Sequence, residues 1–175
     1  MSDLQVFSAT AMTVVLFAAA WGKLRAPANF RRALGTYKVI PKQVIPVLVV
    51  AVPVVEVGLG SLQWVASLQP EVGIAIVSMF VAFTMLLLRS VLKGEEADCG
   101  CFGSAAPEKV SWFSIVRNLA LIALALSGAL ADGGDATAAT AAGLTGVGVG
   151  LLILVSDQGY ALFSKHWYRG DQVEG

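Results

Sequence analysis

Cys99 and Cys101 are the two cysteines of the chain, and one glycine separates them in the polar stretch EEADCGCFG. Two thiols this close in sequence can close a small disulfide ring, and Gly100 permits backbone angles that a larger residue resists. Such a ring is strained, and strained disulfides exchange readily with other thiols. The spacing therefore indicates a redox pair.

Two other interpretations of the pair stay open. Incidental structural cysteines are usually buried, which a polar loop does not favour. A closed zinc site needs four ligands, whereas the chain offers two thiols, His166 and scattered carboxylates, so a metal site would have to be shared with a second copy or a partner. The sequence predicts no set of metal ligands. The neighbouring acids Glu95, Glu96 and Asp98 disfavour a thiolate and oppose extreme reactivity.

The composition places the pair in a membrane protein. Of the 175 residues, 57% are apolar and the mean hydropathy is +0.75, more than a soluble core needs. A spanning helix needs about 20 mostly apolar residues, and five segments qualify. They are roughly residues 4–22, 43–66, 72–92, 112–131 and 138–163. We predict an all-α, multi-pass transmembrane helical bundle of four to five spans, forming a single integral membrane domain over residues 1–175.

The fifth segment is the weakest of these spans. Its first half, ATAATAAGLTGVGVG, is small and barely apolar, so four spans with a loose tail is the alternative. Gly146, Gly148 and Gly150 resemble a nucleotide loop, but no strand precedes them and no fingerprint acid follows. Packing against a neighbouring helix is the better interpretation.

Lysine and arginine are distributed unevenly between the gaps. The gap after the first span holds six cations and no acid, the third holds Lys93 and Lys109, and the tail holds Lys165 and Arg169, whereas the second and fourth gaps hold none. Cationic loops stay cytoplasmic. We therefore predict an N-terminus outside and a C-terminus in the cytoplasm, with the cysteine loop, residues 94–111, at the cytoplasmic end.

The first gap also has a helical pattern over about residues 27–38. Phe30, Leu34 and Tyr37 are spaced at i, i+4 and i+7, which places them on one helical face. We predict a short amphipathic helix in the cytoplasmic interface, with its cations on anionic lipid headgroups. The balanced net charge and the membrane tether argue against nucleic acid as a partner.

Glu56 lies near the centre of the second span, three residues after Pro53. An ionisable residue at that depth is a functional-site hypothesis by default, and Pro53 frees a backbone carbonyl one turn back and kinks the helix. The two residues predict a polar notch facing the bundle. Proton or quinone handling is one role for Glu56, and a protonated side chain that hydrogen-bonds a neighbouring helix is the other.

Depth indicates which charges can pair. At about 1.5 Å per residue, Glu56 lies roughly 20 Å from the inner end of its span, Arg117 roughly 8 Å and Asp157 roughly 9 Å. We therefore predict an Arg117–Asp157 ion pair, with Asn118 adding hydrogen bonds. Such a pair would pin the fourth and fifth spans and bring positive potential close to the cysteine loop.

Five stretches together resemble the MauE branch of the DoxX/MauE membrane proteins. They are WGKL, FRRALGTYKVIP, Pro53 to Gly58, DCGCFG and Arg117-Asn118. The resemblance runs from about Trp21 to Asn118, and it implies a small helical bundle of the bacterial inner membrane associated with thiol redox. It also implies a role in maturing a periplasmic, disulfide-rich dehydrogenase subunit.

These observations lead to one functional expectation and two rivals. We expect an accessory redox protein in which Cys99 and Cys101 exchange electrons with a partner thiol protein or with a quinone. The rivals are a non-catalytic small subunit of a larger membrane complex and a protein that handles copper(I) or zinc. The predicted orientation conflicts with oxidation of secreted clients, which takes place outside the cytoplasm.

Overall fold

The computed structural model describes residues 1–37, 39–93, 112–131 and 138–170, with the backbone alone at Ala66 and over 156–170. Within these ranges the chain forms helices and no strand. The helices are α1 (Asp3–Arg25), α2 (Pro27–Thr36), α3 (Ile45–Leu62), α4 (Gln69–Leu92), α5 (Trp112–Ala129) and α6 (Ala139–Gly170), with a 3₁₀ turn at Ala66–Leu68. The predicted all-α class is confirmed.

Four of these helices, α1, α3, α4 and α5, are long and apolar enough to cross a membrane. The part of α6 whose side chains are described contributes a shorter apolar stretch, Ala139–Val155. The structure thus supports a multi-pass membrane protein. A fifth crossing, and the side of the membrane on which each terminus lies, stay predictions.

Local sequence signals explain where the first two helices begin. Ser2 and Gln5 form a capping box, in which the Gln5 side chain accepts a hydrogen bond from the Ser2 backbone N–H at 2.8 Å. This satisfies a donor that the first helical turn leaves without a partner. Ala26 separates α1 from α2 in a non-helical conformation (φ −133°, ψ 62°), because the following Pro27 disfavours a helical residue before it.

Helix α1 is the centre of the bundle and contacts α3, α5 and α6. The Ser8 hydroxyl donates to the Leu124 carbonyl at 2.8 Å, and the Gln5 amide donates to the Ala131 carbonyl at 3.0 Å. Gln5 precedes Ser8 on α1, whereas its partner Ala131 follows Leu124, so α1 and α5 run antiparallel. The buried apolar core joins α1, α4 and α5. It consists of Met12, Val15, Leu16, Val72, Ile76, Phe80, Leu121 and Ala125.

Glycines allow α6 to lie directly on α1. A Cβ added to Gly146 would come within 2.6 Å of the Phe7 carbonyl oxygen, and one added to Gly150 would lie 3.1 Å from the Ala11 carbonyl oxygen. A Cβ on Gly148 would meet nothing within 4 Å. Small residues that let two backbones approach are a common basis for helix packing in membranes. Gly146 and Gly150 serve this packing role, whereas Gly148 faces away from α1.

The start of α6 is held by the start of α1. The Asp3 carboxylate accepts a hydrogen bond from the Ala138 backbone N–H at 3.0 Å, and a carboxylate at a helix N-terminus also favours the helix dipole. We expect Asp3→Ala to destabilise the bundle by about 1 kcal/mol, as loss of a helix cap does. Asp3→Asn keeps the acceptor and is the matched control. Unfolding in mixed micelles measures both, and equal stability of the Ala and Asn variants would contradict this capping role.

Candidate functional site

Cys99 and Cys101 lie outside the described residues, as does the whole predicted loop at 94–111. The chain enters this segment from the end of α4, at Leu92 and Lys93, and leaves it at Trp112, where α5 begins. Helices α4 and α5 pack as antiparallel neighbours, with Gly73 of α4 against Ala129 of α5. Both ends of the cysteine segment therefore lie at the same end of the bundle.

Polar side chains are buried at this end, on both helices that flank the cysteine segment. Ser90 on α4 is buried, and so are Ser114, Arg117 and Asn118 on α5. Arg117 and Asn118 thus lie inside the bundle within two turns of Trp112. Asp157 belongs to the part of α6 that is described by its backbone alone, so the Arg117–Asp157 ion pair stays a prediction.

Tyr37 joins the segment after α2 to the helices that carry the cysteine segment. Its side chain is buried in a cluster with Leu87 of α4 and Ile115 of α5. Leu87 lies in the second-last turn of α4, and Ile115 lies in the first turn of α5. One aromatic side chain therefore contacts the region from which both ends of the cysteine segment emerge.

Helix α2 packs onto protein with its apolar face. Phe30 and Leu34 are buried in a cluster with Ile45 at the start of α3. Arg31 and Arg32 are exposed on the other face of α2. Helix α2 is therefore packed into the bundle through its apolar face. Contact between its exposed cations and lipid headgroups remains a proposal.

Lys23 and Glu56 form a buried ion pair between α1 and α3. The distance from Lys23 Nζ to Glu56 Oε1 is 2.6 Å, and the two side chains expose 3% and 4% of their surface. Lys23 Nζ also donates to the Ala19 carbonyl at 3.4 Å, one turn back along α1. The Phe30 ring of α2 covers the ammonium, with its centroid 5.5 Å from Nζ, within the range of a cation–π interaction.

The sequence of α3 explains why Glu56 points into the bundle. Pro53, Glu56 and Gly60 are the buried residues of its middle and C-terminal part, and their spacing of i, i+3 and i+7 puts them on one face. Gly60 lets α1 approach closely: its carbonyl accepts a hydrogen bond from the Thr13 hydroxyl at 3.0 Å. Pro53 is fully buried on the same face as Glu56. The predicted notch residues therefore face α1.

The second carboxylate oxygen of Glu56, Oε2, is buried and has no hydrogen-bond partner among the described residues. A buried carboxylate is tolerated when a counter-charge and hydrogen bonds replace its water shell. Lys23 supplies the counter-charge through Oε1. Lys23 thus binds Oε1 at short distance, whereas Oε2 can still accept a hydrogen bond.

In the sequence, Lys23 is one of the six cations of the gap after the first predicted span. Its pairing with Glu56 was not predicted, because depth was compared only for Glu56, Arg117 and Asp157. In the structure α1 continues to Arg25, and helical side chains point back toward the N-terminus. The Lys23 ammonium therefore lies deeper than its Cα. The available signal in the sequence was a lysine in the last turn of one apolar helix, together with a glutamate in the middle of the next predicted span.

Within the described ranges, no group of three or more histidine, cysteine, aspartate or glutamate residues is arranged to hold a metal ion. The two cysteines and the His166 side chain lie outside those ranges. A metal site that uses them stays an alternative interpretation of the cysteine pair.

Comparison with known proteins identifies relatives over most of the chain. The family profile described as methylamine utilisation protein MauE matches residues 1–131. The methylamine utilization protein MauE of Paracoccus denitrificans is 34% identical over 142 residues, which cover 81% of this chain and 74% of that protein. The protein of the same name from Methylophilus methylotrophus is 27% identical over 69% of this chain and 65% of its own length. No solved structure matches the chain.

Proposed function

Because the chain belongs to the MauE family, we propose that it is a membrane accessory protein whose Cys99–Cys101 pair exchanges electrons with the thiols of a partner protein. The observation that carries this proposal is the reach of the family match. It spans residues 1–131 and so includes both cysteines, the Lys23–Glu56 ion pair and the helices that lead into the cysteine segment. The buried charges within the bundle support a role beyond simple membrane anchoring.

The exchange follows ordinary thiol–disulfide chemistry. A thiolate of the partner attacks one sulfur of the Cys99–Cys101 disulfide, which breaks that bond and forms a mixed disulfide. The second thiolate of the partner then attacks the partner's sulfur in the mixed disulfide. This closes a disulfide within the partner and releases Cys99 and Cys101 in the reduced form. The partner loses two electrons and gains a disulfide, and Cys99 and Cys101 gain two electrons and the two protons that the partner thiols give up. Reoxidation needs a two-electron acceptor, for which we propose a membrane quinone.

We propose a client of corresponding chemistry: a secreted, cysteine-rich subunit of a methylamine-oxidising enzyme. The relatives are named for methylamine utilisation, and a secreted subunit with several disulfides requires correct oxidation. The cation distribution predicts that the cysteine segment faces the cytoplasm, where thiols stay reduced. The side on which Cys99 and Cys101 are accessible therefore decides between a pair that meets the client directly and one that relays electrons across the membrane.

The test combines labelling with trapping of the partner. A bulky, membrane-impermeant maleimide is applied to intact cells and to inverted inner-membrane vesicles, with and without prior reduction. We expect each of the variants Cys99→Ser and Cys101→Ser either to trap the mixed disulfide with the client or to abolish it. In both variants the client should be incompletely oxidised. Ser104→Ala, in the same segment, is the matched control and should leave client oxidation unchanged.

Two results would overturn the redox proposal. One is labelling of both cysteines without prior reduction under all conditions. The other is normal client oxidation in both serine variants. A stable, stoichiometric membrane assembly that survives either substitution would then identify a structural subunit.

A further inference from the structure

Four exposed arginines lie at one end of the bundle. Helices α1 and α4 both run antiparallel to α5, so their C-terminal ends lie at the same end. Arg25 is exposed in the last turn of α1, and Arg89 is exposed in the last turn of α4. Arg31 and Arg32 are exposed on α2, which begins just after Arg25. We call these four residues the arginine surface.

The described part of the chain offers the arginine surface no carboxylate. The aspartate and glutamate side chains that the structure describes are those of Asp3, Glu56 and Glu71. Asp3 and Glu71 lie in the first turns of α1 and α4, at the opposite end of the bundle, and Glu56 is buried in its pair with Lys23. The charge of the four arginines is therefore not balanced by any described side chain, and an external anion fits it.

The arginine surface borders apolar side chains that are exposed. One helical turn before Arg25, the Trp21 side chain is 66% exposed, and in the turn after Arg89, Leu92 is 71% exposed. In a multi-pass membrane protein such side chains face lipid, and tryptophan is enriched at the membrane–water interface. The arginines thus lie at the edge of the lipid-facing surface, where phospholipid headgroups are found.

The register of α1 against α3 gives Arg25 the same depth. The polar contacts between these helices show that they run antiparallel, and the Thr13 hydroxyl donates to the Gly60 carbonyl. Arg25 lies twelve residues after Thr13, and Leu48 lies twelve residues before Gly60, so Arg25 and Leu48 are roughly level at about 1.5 Å per residue. Val47, beside Leu48, is still exposed. Arg25 therefore lies within about one helical turn of the start of α3.

Helix α2 uses its large apolar residues to contact protein. Phe30 and Leu34 are buried against Ile45 of α3. The exposed face of α2 presents Arg31 and Arg32 and contains no exposed large apolar side chain. Helix α2 is therefore suited to meet a membrane surface through charge, rather than by inserting an apolar face among the acyl chains.

We propose that the arginine surface binds the phosphate groups of anionic phospholipids. The guanidinium group of arginine forms bidentate hydrogen bonds with phosphate oxygens. A zwitterionic lipid also carries an ammonium group, for which the described residues at this end offer no exposed carboxylate. A headgroup with a net negative charge therefore fits better. This inference does not depend on the redox function proposed above.

The test uses tryptophan fluorescence as a local probe of lipid composition. The full-length protein is reconstituted in bilayers, and three of its four tryptophans are replaced by phenylalanine, which leaves either Trp21 or Trp64. Trp64 is 49% exposed and lies just beyond the C-terminal end of α3, away from the arginine surface. Quenching by phosphatidylglycerol with brominated acyl chains is compared with quenching by brominated phosphatidylcholine. The comparison gives the preference for the anionic lipid beside each tryptophan.

We expect the two tryptophans to report different preferences. Phosphatidylglycerol should be preferred by about fivefold at Trp21, the effect of one cation near an anionic lipid surface, and by no more than phosphatidylcholine at Trp64. The preference at Trp21 should fall at high salt, because the Debye length shortens from about 10 Å at 0.1 M to about 3 Å at 1 M. Both measurements leave every arginine in place.

Substitution of the arginines provides a second measurement. Arg25→Gln combined with Arg31→Gln and Arg32→Gln should bring the preference at Trp21 close to one. Lysine at the same three positions keeps the charge and should retain the preference. Glu71→Gln, at the opposite end, is the control and should change nothing. These side chains are all exposed, and exposed substitutions usually change stability little.

Three results would overturn the inference. The first is an equal preference at Trp21 and Trp64. The second is a preference at Trp21 that persists in high salt or in the glutamine variant. The third is loss of the preference when inorganic phosphate is added at constant ionic strength, because the arginines would then bind free phosphate in place of a lipid. None of these measurements involves Cys99, Cys101 or a client, so they leave the redox proposal to its own test.

Discussion

Lys23→Met is expected to destabilise the folded bundle by about 3–5 kcal/mol, the cost of breaking a buried ion pair by removing one partner. The substitution leaves the Glu56 carboxylate, whose side chain is 4% exposed, without its counter-charge. The loss also removes the hydrogen bond to the Ala19 carbonyl and the contact with Phe30. Reversible unfolding in mixed detergent micelles, followed by helical circular dichroism, measures this effect.

A double-mutant cycle separates the cost of an orphaned charge from the value of the pair. Lys23→Met with Glu56→Leu should recover most of the stability that Lys23→Met loses, because no uncompensated charge remains. The destabilisation should therefore be strongly non-additive, as it is for residues in direct contact. Arg25→Met is the control, since an exposed cation in the same helical turn should change stability by no more than about 0.5 kcal/mol. Additive effects of the two single substitutions would show that Lys23 and Glu56 do not interact.

Gly146→Leu is expected to separate α6 from α1. A Cβ at this position would lie 2.6 Å from the Phe7 carbonyl oxygen, and backbone cannot move aside as a flexible side chain can. Overpacking of this kind costs about 1–3 kcal/mol, occasionally more, and here the leucine also displaces the backbone of α6. Unfolding in mixed micelles and cross-linking between α1 and α6 measure the two consequences.

Gly148→Leu is the matched control, because a Cβ there meets nothing within 4 Å. It adds the same side chain, two residues away, on the face of α6 that points away from α1. We expect stability close to that of the parent. If Gly148→Leu destabilises as much as Gly146→Leu, close packing of α6 on α1 is not the reason for the glycine.

The fold class followed from composition because a long apolar segment has few alternatives to a helix in a bilayer. The buried face of α2 could also be read from spacing, since Phe30, Leu34 and Tyr37 recur with the helical period and are all buried. Helical periodicity is a local property, and it is present in the sequence before any tertiary contact forms.

The partner of Glu56 could not be read in the same way. Pairing across two helices depends on their relative register and on the direction of a long side chain, and neither is encoded in the spacing within one helix. In the structure, the Thr13 hydroxyl donates to the Gly60 carbonyl between α1 and α3, and Lys23 reaches Glu56 by extending back along α1. The roles of Cys99, Cys101 and Asp157 remain predictions.

The central position of α1 has a consequence for biosynthesis. Membrane proteins are made from the N-terminus, so α1 enters the bilayer before any helix that it contacts. Three of its polar side chains bond to residues that are synthesised later: Thr13 to Gly60, Lys23 to Glu56 and Ser8 to Leu124. Until α3 emerges, the Lys23 ammonium has no carboxylate to pair with and is better placed in water or headgroups. We therefore expect α1 to reach its final depth only after α3 has been made.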